Sequence, residues 1–173
     1  DQHLAAGERE MSRLGTNRLG MLGAALALIV AWTPMASAFE ITKVASPGGI
    51  KAWLVEDHKN PIITVKMTFL GGSSADPIGK AGLAYLASGL LDEGAGELDS
   101  AAFQKALADD SISLSFDART DSFSGTLTTL TETSADAFRL LRLALTKPRF
   151  DDEPIARVRG QVMAGLRSRE QNP

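Results

Sequence analysis

Two histidines, His3 and His58, and no cysteine are all that the 173-residue chain offers a borderline metal ion besides carboxylates. Zinc chemistry needs three protein ligands plus an open position for water, so a two-histidine zinc site is close to excluded by the count alone. The missing cysteines also remove thiol catalysis and any disulfide framework. His58 stands in a polar run, Glu56-Asp57-His58-Lys59-Asn60-Pro61, and reads as a loop histidine. The adjacent acids Asp92 and Glu93 could act as general acid and base, but helix neighbours point apart and helix-end acids are usually solvated. Gly71-Gly72-Ser73-Ser74 lacks the lysine and spacing of a phosphate loop and reads as a turn. Tyr85, Ser88 and Ser73 bring hydroxyls without a base to activate them. Arg157, Arg159, Arg167 and Arg169 form a basic run, either the solvated face of an amphipathic helix or a contact for a substrate or partner.

The composition is that of a folded domain: 44% hydrophobic, 23% charged, and long enough for one sizeable core. Eighteen basic against 21 acidic residues give a net charge of −3, the wrong sign for a nucleic-acid binder. At the N-terminus, Met11, Arg13 and Arg18 precede an apolar run from Leu19 to Trp32, followed by small residues at Ala36 and Ala38. A basic start, a short apolar core and an A-x-A end are the parts of a secretory signal, predicted here as residues 11–38 with cleavage before Phe39. The apolar run falls short of the ~20 residues of a spanning helix, so no stable membrane anchor is expected after cleavage. Residues 1–10 read as an upstream extension or cloning remnant, and residues 39–173 as the folded domain, which keeps the charge of −3.

Within that domain the hydrophobic period switches between two and 3.6. Strands are predicted at Ile41 to Ala45, Ile50 to Glu56 and Ile62 to Leu70, the last with Ile63, Val65, Met67 and Phe69 on one face. Leu83, Leu86, Ala87, Leu90 and Leu91 then share a helical face, ended by Gly94-Ala95-Gly96. Asp99 or Ser100 is placed to cap a second helix through Phe103 and Leu107. Alternating runs from Ile112 to Ala118 and Ser122 to Leu130 predict a hairpin. Thr133 or Ser134 then caps a helix ending at Lys147-Pro148, and Asp151 caps another with Ile155, Val158, Val162 and Leu166 on one stripe. The expected class is α+β: an antiparallel-rich sheet covered by helices on one face, with the domain incomplete at its C-terminal end.

The segment Gly82-Leu83-Ala84-Tyr85-Leu86-Ala87-Ser88-Gly89-Leu90-Leu91-Asp92-Glu93-Gly94-Ala95 resembles the zinc helix of the insulinase–pitrilysin family, which includes the mitochondrial processing peptidases. Members carry an inverted motif, His-x-x-Glu-His. The surroundings are similar too: a Gly-Gly-Ser turn before the helix, Ser115-Phe116-Asp117-Ala118 after it, then Ala137-Phe138-Arg139 and Pro148-Arg149-Phe150. The resemblance spans about residues 41–173 and implies the N-terminal half-domain of that fold. By its register the family histidines fall on Tyr85 and Gly89, the catalytic glutamate on Ser88, and the later glutamate ligand on Gly165. No catalytic or metal-binding residue is therefore expected in this chain, and an active zinc endopeptidase is the least favoured reading.

The resemblance implies a metal-free, non-catalytic subunit of a periplasmic or secreted insulinase-like peptidase. Such a subunit would pair as a heterodimer with a zinc-bearing homologue and help hold unfolded peptide by strand addition to a sheet edge. Zinc is expected only in the partner. The alternative is a stand-alone peptide-binding or envelope scaffold module of the same fold.

Overall fold

The structure is a computed structural model that describes residues 40–171. The predicted leader, residues 11–38, lies outside the described residues. The described residues divide into two units, 40–57 and 58–171.

The described part of the first unit is a hairpin of β1 (Ile41–Ala45) and β2 (Lys51–Val55), paired antiparallel with Ile41 opposite Val55. Ser46-Pro47-Gly48-Gly49 makes the turn. The Gly49 amide donates to the Ser46 carbonyl at 2.9 Å, and Gly49 holds φ +84, which favours glycine. Ile50, expected in the strand, instead sends its amide to Ser46 Oγ at 3.1 Å and belongs to the turn.

The second unit runs β3 (Ile62–Leu70), a 3-10 turn at Ser73–Ala75, α1 (Leu83–Ser88), α2 (Ser100–Asp109), β4 (Ser113–Ala118), β5 (Ser122–Leu130), α3 (Ser134–Thr146) and α4 (Asp152–Gln171). Its sheet has the order β3-β5-β4, antiparallel throughout. Period-two alternation sorts the two faces. Val65, Leu127 and Leu114 form one cross-strand row, and Met67, Gly125 and Phe116 the next. Gly125 leaves room between its neighbours: a Cβ there would sit 3.0 Å from the Phe116 ring and 3.2 Å from Met67 Cγ. The opposite face carries Thr64, Thr128 and Ser113, then Lys66, Thr126 and Ser115, with the Thr64 and Thr128 hydroxyls 3.4 Å apart.

Helices α2 and α3 cover the apolar face. Phe103, Leu127 and Leu140 are fully buried there, packed with Leu107, Leu114, Leu141 and Ala144. This is the α+β arrangement expected from the sequence. Asp99 caps α2, its Oδ1 accepting the Ala102 amide at 2.8 Å. Thr133 occupies the N-cap position of α3 without capping it. Its hydroxyl instead donates to the Asp110 carbonyl at 3.1 Å and meets buried Thr129 Oγ1 at 3.0 Å.

The leucine period predicted a helix through Leu91, but α1 ends at Ser88, with Gly89 as its C-cap. The chain continues in tight turns, the Leu90 amide donating to the Ala87 carbonyl and the Glu93 amide to the Leu90 carbonyl. Asp76 starts α1 from a distance, its carboxylate accepting the Gly82 amide at 2.7 Å and the Ala84 amide at 2.9 Å. Burial on α1 also departs from the stripe. Ser88, its last residue, and Leu90, just beyond it, are buried, while Leu83 is exposed. On α4, Val158 is buried, Ile155 and Val162 are half-buried, and Leu166 is exposed.

Candidate functional site

Helix α1 with its continuation through Glu93, strand β4 and helix α4 surround one cleft of about 350 Å³. Tyr85, Ser88 and Gly89 reach it from α1, Ser115 and Phe116 from β4, and Val158, Gln161 and Gly165 from α4. All four positions assigned by register to the zinc motif therefore line the same cavity. The structure brings the motif positions together and supplies other atoms at them.

Those atoms do not fit a zinc ion. Tyr85 is half exposed, and a phenol is not among zinc's usual nitrogen, thiolate and carboxylate ligands. Ser88 Oγ donates to the Tyr85 carbonyl at 2.8 Å, so the hydroxyl closes the helix on itself. Gly89 and Gly165 have no side chain to offer. Among the described residues no group of three or more His, Asp or Glu is placed to hold a metal ion.

The charges around the cleft come from Asp92, Glu93 and α4. Arg157 Nη2 donates to Glu93 Oε2 at 2.5 Å, and Ser100 Oγ donates to the same oxygen at 2.6 Å. Arg157 Nε also reaches Glu153 Oε1 at 3.3 Å. Burial pushes the Glu93 carboxyl up, but the bonds from Arg157 and Ser100 and the Arg157 charge outweigh it and hold the group below its ordinary range. Burial pushes Asp92 up and prevails there, with the Glu93 charge adding to it against a bond from its own amide and the Arg157 charge. The Asp92 carbonyl is held by Gln104 Nε2 at 2.9 Å. Both acids lie beyond the end of α1, so the helix-face argument made for them from sequence does not apply.

The other sequence candidates separate. His58 lies in the turn before β3 and does not line the cleft. Gly71-Gly72-Ser73-Ser74 is a docking turn: the Gly71, Ser73 and Ser74 amides donate to the carbonyls of Asp121, Arg119 and Thr120 at 3.0, 2.8 and 2.9 Å. Those amides are spent on the β4–β5 connection and leave no cradle for an anion. The basic run splits as well. Arg157 is bound to two glutamates, Arg169 borders the cleft, and Arg159 and Arg167 are exposed. Sequence reasoning did not single out Val158 or Gln161 as cleft residues. Their only signal was α4's period, which placed Val158 on the buried stripe.

No protein-family model matches the chain. The chain is 32% identical over 115 residues to "Non-peptidase homolog YmxG" of Helicobacter pylori, a match covering 66% of this chain and 27% of that protein. Among solved structures it is similar to the peptidase M16 inactive domain from Pseudomonas fluorescens, with a TM-score of 0.69 and 27% identity over 78% of this chain and 33% of that one. Pitrilysin shares the fold, with a TM-score of 0.65 at 19% identity over 76% of this chain and 14% of that one. So does a protease from Helicobacter pylori, with a TM-score of 0.61 at 18% identity over 75% and 31%. The chain thus spans about a quarter to a third of the relatives it matches at higher identity. Those two carry the words non-peptidase and inactive in their names, and the cleft described above lacks every donor of the zinc motif. The chain has the fold of an insulinase–pitrilysin peptidase domain and is insulinase-like with degenerate His-x-x-Glu-His positions.

Proposed function

We propose that this chain is part of a non-catalytic, metal-free subunit that holds unfolded peptide for a zinc-bearing homologue in the periplasm. One observation carries the peptide-binding half of the reading. Among the described residues strand β4 has β5 on one side only, and its Ser115 and Phe116 border the cleft where the degenerate motif lies. An edge strand beside a cleft offers backbone donors and acceptors to an extended peptide, which gains affinity from main-chain bonds without any chemistry. The polar outer face of the sheet, with Thr64, Lys66, Ser115 and Thr126, keeps that edge wet and soluble.

The exported location rests on the leader-like residues 11–38. In a Gram-negative host the chain should be recovered from the periplasm beginning at Phe39. Recovery of exported protein that retains earlier residues would count against cleavage there.

Pairing is tested by co-purification with a His-x-x-Glu-His homologue from the same organism and by peptidase assays of each chain and of the mixture. The expected result is association, with the mixture more active than the zinc-bearing chain alone. If the two do not associate and the mixture gains nothing, the subunit reading fails and the scaffold module takes its place.

A further inference from the structure

Gly89 is not a glycine its backbone demands. It holds φ −82 and ψ 2, angles open to any residue. What the missing side chain provides is room. A Cβ at this position would lie 3.0 Å from Val158 Cγ1, and Val158 is buried at 7% exposure. Helix α4 thus comes in over the end of α1, with a valine methyl beside the position assigned to a histidine ligand. The neighbouring residue, Arg157, binds Glu93 in the segment that continues α1, and Ser100 binds the same carboxylate. Two consecutive residues of α4 therefore grip the same segment, one by an apolar contact and one by an ion pair.

Gly165 differs. A Cβ there would meet nothing within 4 Å. The two empty ligand positions are unlike: the one on α4 is open, and the one on α1 is closed by Val158.

We infer that the Gly89–Val158 contact and the Arg157–Glu93 ion pair form a metal-independent clasp joining the α1 segment to α4, and that this clasp closes the motif to zinc. The inference rests on the register that places ligands at 85, 89 and 165. Zinc would join these segments through nitrogen and oxygen ligands at about 2.0–2.2 Å, with an imidazole reaching in from position 89. The Cβ of that histidine would already crowd the Val158 methyl at 3.0 Å. Loss of the ligands and approach of α4 are then two sides of one change, and ligands restored without removing the valine would not restore the site.

The test is a double-mutant cycle on the full-length protein, read by thermal unfolding: Gly89→Ala, Val158→Ala and both together. Alanine accepts the angles of Gly89 and restricts the unfolded chain, so without the clasp Gly89→Ala would raise Tm in either background. The clasp predicts that Gly89→Ala lowers Tm in the parent and ceases to do so in the Val158→Ala background. A parallel cycle with Glu93→Gln and Arg157→Met should show coupling, the double variant losing less than the sum of the singles. Zinc uptake by a graft of Tyr85→His, Ser88→Glu, Gly89→His and Gly165→Glu supplies a third readout, expected to be tighter when Val158→Ala is added. An equal rise in Tm for Gly89→Ala in both backgrounds, additive effects of Glu93 and Arg157, or zinc binding by the graft that ignores Val158 would each overturn the clasp. None of these readouts depends on a partner or a peptide, so they stand or fall apart from the proposed function.

Discussion

Asp92 and Glu93 are consecutive and line one cleft, yet their carboxyl groups are pushed in opposite directions. Burial dominates at Asp92 and raises it above the ordinary 3.8. At Glu93 burial is outweighed by Arg157 and Ser100, which hold it below the ordinary 4.5. The folded protein therefore binds a proton at Asp92 more readily than the unfolded chain does, and at Glu93 less readily. The stabilisation from Glu93 is present above pH 4.5 and fades as the pH falls through its lower folded value. For Asp92 the favourable state is the protonated one, fully present below pH 3.8 and lost as the pH rises through its raised folded value. Asp92→Asn should raise Tm at pH 7, the gain shrinking toward acid, while Glu93→Gln should lower it at pH 7, the loss shrinking toward acid. Thermal unfolding of both variants from pH 4 to 7 checks the opposed signs.

Gly72 tests the docking turn. A Cβ there would lie 1.9 Å from the Arg119 carbonyl oxygen and 2.7 Å from that of Ser122, both backbone atoms that cannot rotate away. Gly72→Ala must move the turn and loosen its bonds to Arg119, Thr120 and Asp121, with an expected loss of about 2–4 kcal/mol. Urea unfolding should show the midpoint falling.

Gly165 should behave in the opposite sense. It lies inside α4, exposed, with open space where a Cβ would go. Gly165→Ala should stabilise the domain by about 0.5–1 kcal/mol by restricting the unfolded chain and favouring the helix. The same unfolding experiment checks it, and a loss would show that something covers this part of α4.

Leu140 is fully buried between α3 and the sheet. Leu140→Ala should cost about 2–5 kcal/mol, the spread reflecting how far the core relaxes around the cavity.

Much of the fold was legible because its signals are local. The alternation of Ile63, Val65 and Met67 placed β3, and the hairpin from Ile112 to Leu130 followed from the same period with the polar Arg119-Thr120-Asp121 between its strands. Asp99 announced itself as a cap by type and position. What failed were bonds set by tertiary partners. Thr133 had the composition of a cap, but its hydroxyl found Asp110 and Thr129 instead. The leucines after Gly89 kept helical spacing although the helix stops there, because a hydrophobic period records burial and continues through turns that bury the same side. In the site, register alone brought residues 85, 88, 89 and 165 to one cleft. The Arg157–Glu93 pair spans 64 residues and has no local signature, so a run of arginines on a helix gave no hint of it.

The central claim is that this chain has the fold of a zinc peptidase without its metal chemistry. The most direct measurement is elemental analysis of the purified full-length protein after exposure to zinc and gel filtration, alongside peptidase assays of the same sample. The account predicts no stoichiometric zinc and no hydrolysis by this protein alone, because Tyr85, Ser88, Gly89 and Gly165 supply none of the required groups. One zinc per chain, with peptide cleavage that a chelator abolishes and that substitutions at Tyr85 or Asp92 remove, would contradict it.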